Sequence, residues 1–190
     1  GYLYDASTFP TYVGPLARAY YLMTSSFSEE EREKRKVLFG SIRDGFRPLK
    51  PYAWRIGKRE ILEIPVTTMP VAKIPFHFSY LLYMSTYSAA LASIYFKTSL
   101  AMCRMTGTEP SLLLHPLDFL GHDDVPTLDF FPAMRLEGSR KRDLLHNLFQ
   151  ALRERFTIVP MSEHAKHIRS KRTVRSREPD FPPPSGVASV

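Results

Sequence analysis

From Phe78 to Phe96 the chain carries no charged residue. What that stretch does decides what kind of protein this is, because its length alone is enough to cross a bilayer. Its contents argue for a different role. Ser79, Ser85, Thr86, Ser88, Ser93 and four tyrosines interrupt the apolar residues. Leu91, Ile94, Tyr95 and Met102 fall at helical spacings, which predicts a core helix over 86–105 ended by Thr106-Gly107-Thr108. No membrane span is expected. A membrane-associated protein using residues 76–103 is a lesser alternative.

The remaining composition fits a soluble domain with a sizeable core. The 190 residues suffice for one domain, and 44% hydrophobic with 13% aromatic content argues against disorder throughout. The single cysteine, Cys103, excludes an intrachain disulfide. Its apolar neighbours Leu100, Ala101 and Met102 predict a buried, inert thiol. Compartment and oligomeric state are left open. No signal peptide is visible, and any targeting segment is expected upstream of Gly1.

Charge is unevenly spread. Of the net +7, residues His164–Val190 hold +4, from six Lys/Arg against two Asp/Glu. The body is only mildly basic, so no nucleic-acid partner is expected, and a basic-tail nucleic-acid binder is the weakest alternative. Pro182-Pro183-Pro184 and the basic run before it predict a disordered tail over 164–190.

Along the body, residues 1–13 suit a short strand and an exit loop. Ser28 with Glu31 has capping-box spacing and predicts a helix over 29–44. Ile61–Val66 reads as a strand near an edge, because Pro65 cannot donate to a ladder. Residues 70–76 and 121–132 read as loops. Leu112-Leu113-Leu114 is expected to be a buried strand. Arg140–Phe156 is a strong helix with Leu144, Leu145, Leu148 and Leu152 on one face, and Thr157–Pro160 reads as a last short strand.

His115 is the sharpest chemical candidate. It follows the Leu112–Leu114 run, and Pro116 fixes the backbone beyond it. A histidine at the C-terminal end of a strand can act as general acid or base near neutral pH. A core histidine held by hydrogen bonds is the competing reading. His122-Asp123-Asp124 matches no strong metal motif and reads as a flexible, hydrated loop. His146 reads as structural or exposed, and His164 and His167 belong to the helix end and tail.

Three short segments carry a family resemblance. Tyr2-Leu3-Tyr4-Asp5-Ala6-Ser7-Thr8-Phe9-Pro10, Glu63-Ile64-Pro65-Val66 and Leu113-Leu114-His115-Pro116 occur in this order. Together they resemble the C-terminal motifs of polysaccharide deacetylases with the NodB-homology domain, over residues 1–163. The resemblance implies an α/β fold, the C-terminal part of a distorted (β/α) barrel. It implies metal-dependent hydrolysis of acetyl groups on sugars, with an acetylated carbohydrate as substrate. His115 would then protonate the departing amine, Leu113 would wall the acetyl-methyl pocket, and Asp5 would contribute to substrate binding. The family's divalent metal, zinc, is held by an Asp-Asp and a His-x-x-x-His motif. Both are expected upstream of Tyr2; no His-x-x-x-His occurs in this sequence, and its Asp123-Asp124 follows the other motifs instead of preceding them. Pro116 stands where many members have Asp, which points to a distinct subgroup. The alternative is a non-catalytic carbohydrate-binding or interaction module on the same scaffold.

Overall fold

The computed structural model describes residues 2–14, 42–129, 131, 133–171 and 174–179. Among them the fold is mixed α/β, with four α-helices and one four-stranded sheet of order β1-β3-β2-β4. The strands are β1 (Tyr4–Asp5), β2 (Tyr52–Ile56), β3 (Arg59–Glu63) and β4 (Ser176–Arg177). β2 and β3 form a hairpin in which Ile56 pairs with Arg59. The two-residue turn between them needs a left-handed residue, and Gly57 supplies it at φ +61° without a Cβ clash. β1 joins β3 in parallel, Asp5 opposite Glu63, and β4 joins β2 in parallel, Ala53 opposite Ser176.

β3 is therefore an inner strand, which corrects its expected edge position. Pro65 is accommodated because the ladder ends at Glu63 and the chain runs on as extended loop. There Ile64 N–H donates to Asp5 O, Val66 N–H to Thr8 O and Thr67 N–H to Ser111 O, at 2.8–2.9 Å. Ser111 N–H in turn donates to Thr67 Oγ1 at 2.8 Å. Two of the resembling segments, 5–8 and 63–66, thus lie side by side, and Thr67 pairs with Ser111, two residues before Leu113.

The helices are α1 (Phe78–Ser85), α2 (Ala89–Thr106), α3 (Gly138–Arg153) and α4 (Met161–Lys171). The charge-free stretch is broken into α1 and α2 at Ser88. This residue leaves helical geometry and caps α2 by accepting from Leu91 N–H at 3.2 Å. At the other end Gly107 turns left-handed, and Thr108 N–H closes onto Cys103 O at 2.8 Å. The buried face of α2 is Ala92, Phe96, Ser99, Leu100 and Cys103, while Leu91 and Ile94 are exposed. That corrects the expected face. Both sides of α2 hold apolar residues at helical spacing, so periodicity alone does not choose between them. Among the described residues no helix is long and apolar enough to cross a membrane.

The main core packs α1, α2 and α3 together. Phe78 sits 4.9 Å from Phe149 and 6.0 Å from Phe96, ring centre to ring centre, over Leu81, Leu82, Leu100, Leu145 and Leu148. Leu144, Leu145, Leu148 and Leu152 line the buried face of α3 as their spacing indicates. A second cluster joins the sheet to α4 through Leu62, Ile64, Ala165 and Ile168.

Three further expectations are corrected. Leu112–Leu114 is not a strand, and Leu113 and Leu114 are each 41% exposed. Only Thr67 and Ser111 pair there, so no ladder forms to bury them. Thr157–Pro160 is irregular. The expected disordered tail is ordered in its first part: α4 runs through it, with Ile168 buried, and β4 adds a strand. A basic segment can still order when one apolar residue per turn finds a partner, as Ala165 and Ile168 do on the sheet. Residues 180–190 lie outside the described residues. So does the helix expected over 29–44, except for its last positions, where Ile42–Phe46 is a 3-10 helix.

Candidate functional site

Two breaks in regular structure build the site. Pro75 ends a tight turn whose Val71 and Lys73 have positive φ (69° and 54°), and the chain then enters α1 through His77. Pro116 opens a 3-10 turn over Pro116–Asp118, with extended His115 as its first flanking residue. Asp118 reaches back from the end of that turn, and its Oδ2 accepts His115 N–H at 2.8 Å. This is capping-box chemistry on a short turn.

The first turn of α1 meets this second turn. Ser79 Oγ–H donates to Asp118 Oδ1 at 2.7 Å, and the same Oγ lies 3.2 Å from His115 Nδ1. A hydroxyl has one proton. With it directed at the carboxylate, Oγ accepts from His115 Nδ1–H, which leaves Nε2 outside this hydrogen-bond chain. Asp118 is buried at 2% exposure, whereas the His115 side chain is 48% exposed. A buried carboxylate thus holds an open imidazole through a serine.

Asp118 is anchored from below. Lys141 on α3 is 1% exposed, and its Nζ donates to Leu117 O at 3.0 Å and Leu120 O at 2.6 Å. These bonds clamp the 116–120 turn and place positive charge near Asp118. Burial pushes the Lys141 ammonium below its usual range, with Asp118, Asp123 and Asp124 opposing that shift.

His77 completes the wall. Its ring stands perpendicular to Tyr80 at 4.7 Å, 5.4 Å from Phe9 and 6.2 Å from His115. Its buried Nδ1 has no hydrogen-bond partner among the described residues. Burial, helped by the neighbouring His115 and opposed by Asp118, pushes its pKa down to about 4. His77 is therefore neutral at pH 7, an aromatic wall that does not compete with His115 for protons.

The other candidates fall as follows. Asp5 binds its own loop: Oδ1 accepts Ala6 N–H at 2.8 Å and Oδ2 accepts Ser7 Oγ–H at 2.9 Å. It faces Glu63, whose Oε1 accepts Thr8 N–H at 3.0 Å and whose Oε2 accepts Trp54 Nε1–H at 3.1 Å. Burial raises the Glu63 pKa against those bonds. Asp5 and His115 share no direct contact, and Phe9 and His77 connect their segments. Leu113 precedes His115 by two residues as open apolar surface.

His122-Asp123-Asp124 is a structured turn, which corrects the flexible loop. Asp123 Oδ1 accepts Gly138 N–H at 2.7 Å and caps α3, and Asp124 Oδ2 accepts Gly121 N–H at 3.0 Å. Gly121 has no room for a side chain, because a Cβ there would overlap the Gly138 backbone. His164 Nε2 lies 3.1 Å from Glu109 Oε2 and ties α4 to the loop after α2, and His146 is exposed on α3.

His77, Ser79 and Asp118 were not legible as site residues in the sequence. The available signal was the His-Pro-x-Asp spacing of 115–118, in which Asp118 stands where a capping carboxylate belongs. Among the described residues no group of three His, Cys, Asp or Glu side chains is arranged to hold a metal ion. Comparison with protein-family models, curated proteins and solved structures finds no match to this chain.

Proposed function

We propose that this chain supplies the proton-donating and acetyl-binding part of a carbohydrate deacetylase, with His115 as the acid. The observation that carries this reading is the Asp118–Ser79–His115 chain, which aims Nε2 outward from a fixed ring. A leaving amine needs a proton delivered from a positioned donor. His115 in its protonated form meets that need, with Ser79 and Asp118 as positioning residues. The exposed Leu113 offers apolar surface beside it for an acetyl methyl. The parallel pairing of β1 with β3, continued by Val66 N–H to Thr8 O, supports reading these two segments as neighbouring staves of a distorted (β/α) barrel.

The deacetylase reading calls for a divalent metal. The described residues of this chain do not fit the role of holding it.

Two measurements test the proposal. Titrating the isotope-labelled chain with an N-acetylated oligosaccharide should shift the His115 ring and Leu113 methyl resonances, and the deacetylated oligosaccharide should shift them less. In the natural full-length protein, His115→Ala should slow deacetylation about 10²–10⁴-fold with an unchanged melting temperature. A folded His115→Ala protein with wild-type turnover would overturn the role. Binding without turnover in the full-length protein would favour the carbohydrate-binding module.

A further inference from the structure

A second concave surface shares no residue with the His115 site. It lies where the 3-10 helix at Ile42–Phe46 meets β2 and β4, and its volume is about 320 Å³. That is the low end of the range for small-molecule sites. Three arginines line it: Arg43, Arg47 and Arg177. Arg47 is committed, its Nε donating to Asp44 Oδ1 at 2.9 Å. Arg43 and Arg177 make no ion pair among the described residues.

Aromatic rings hold two of these guanidiniums in place. Arg47 lies over Trp54 at 5.4 Å and Arg177 over Tyr52 at 5.8 Å. Tyr52 and Trp54 are themselves locked edge to face at 4.9 Å. Arg47 and Arg177 are thus pre-oriented forks, the geometry that matches a carboxylate, and Arg43 adds a third positive charge. Phe46 is 73% exposed beside them and offers an apolar face. One carboxylate, Glu178, shares the lining and can accept hydroxyl protons.

This donor set selects among anions. A nucleic-acid strand needs free aromatic faces for its bases. Here guanidiniums occupy the faces of Trp54 and Tyr52, which leaves Phe46 but no run of open rings for successive bases, and Glu178 repels a continuous phosphate chain. A ligand with one carboxylate, several hydroxyls and a partly apolar ring face satisfies arginines, Glu178 and Phe46 together. We infer that this groove binds a carboxylate-bearing saccharide, such as a uronic-acid unit of an acidic polysaccharide. The inference stands independently of the deacetylase reading.

Calorimetric titration of the full chain with a uronic-acid tetrasaccharide tests it. Saturable binding that weakens with added salt is expected. Arg43→Gln and Arg177→Lys should each weaken it about ten- to a hundredfold, as loss of a charge-assisted bond or its fork does. Arg177→Lys keeps the charge and Arg43 is exposed, so melting temperatures of both variants should match wild type and exclude unfolding as the cause. A neutral N-acetylated tetrasaccharide binding equally well at this groove would overturn the inference. So would tighter binding of a single-stranded oligonucleotide, no uronate binding, or uronate binding indifferent to both substitutions.

Discussion

Ser79 on α1 donates to the buried carboxylate of Asp118, 39 residues later, at 2.7 Å. The bond adds a direct side-chain tie between α1 and the 116–118 turn, which Lys141 already clamps to α3, and it dictates which nitrogen of His115 is left outside the hydrogen-bond chain. Ser79→Ala should remove that choice. Nitrogen chemical shifts should report an Nδ1–H imidazole in the neutral wild-type protein and a tautomer mixture in the variant. Stability should fall by about 1–3 kcal/mol, because Asp118 Oδ1 loses its donor in a buried place. An unchanged tautomer would break the link between Ser79 and His115.

His77 makes stability depend on pH. Its folded pKa of about 4 lies below the ordinary value of 6.5, so the unfolded chain binds more protons between these values. The stabilisation is complete above about pH 6.5 and is lost as pH falls towards 4. The size is about 3 kcal/mol. Urea unfolding at pH 7.5 and pH 4 measures it, and His77→Phe should flatten the profile in that window.

Ile168 should matter more than its basic surroundings suggest. It is 1% exposed and packs with Leu62, Ile64 and Ala165. Ile168→Ala should cost about 2–5 kcal/mol, and deleting 168–190 should cost more, since β4 goes as well. A truncated chain with the wild-type melting temperature would contradict this.

Cys103 should be inert while the protein is folded. Burial pushes its thiol pKa up to about 12, so the nucleophilic thiolate is scarce at pH 8. Alkylation should be negligible in buffer and complete in guanidinium chloride. Rapid labelling of the native protein would show an opening at α2.

Val71 should be replaceable with profit. It is a β-branched residue at φ +69° and 81% exposed, so it bears backbone strain without packing in return. Val71→Gly should raise stability by about 1 kcal/mol, partly offset by greater freedom of the unfolded chain. Thermal unfolding checks the sign.

What the sequence made legible follows from how local each signal is. The α3 face was readable because its leucines stand against charged residues. The end of α2 was readable because Gly107 suits a left-handed cap. The two-residue turn at Gly57-Lys58 between Tyr52–Ile56 and Arg59–Glu63 is a hairpin signal of the same local kind. His115 stood out through Pro116. Ser79 did not, because a serine in an apolar helix gains meaning only from a partner 36 residues away. The order of the tail is hidden for the same reason: Ile168 looks isolated until the sheet surface it covers is in place.

That arrangement also sets the order of assembly. β4 pairs with β2 across more than a hundred residues, and Arg169 Nη2 ties α4 to Leu3 O at 2.8 Å. While the chain is being synthesised, the outer side of β2 has no native neighbour until residues 176–177 have emerged. An unpaired strand edge of that kind invites pairing with other chains. The aggregation-exposed interval in folding therefore lasts until residues 176–177 have been made, and pairing of β4 closes it.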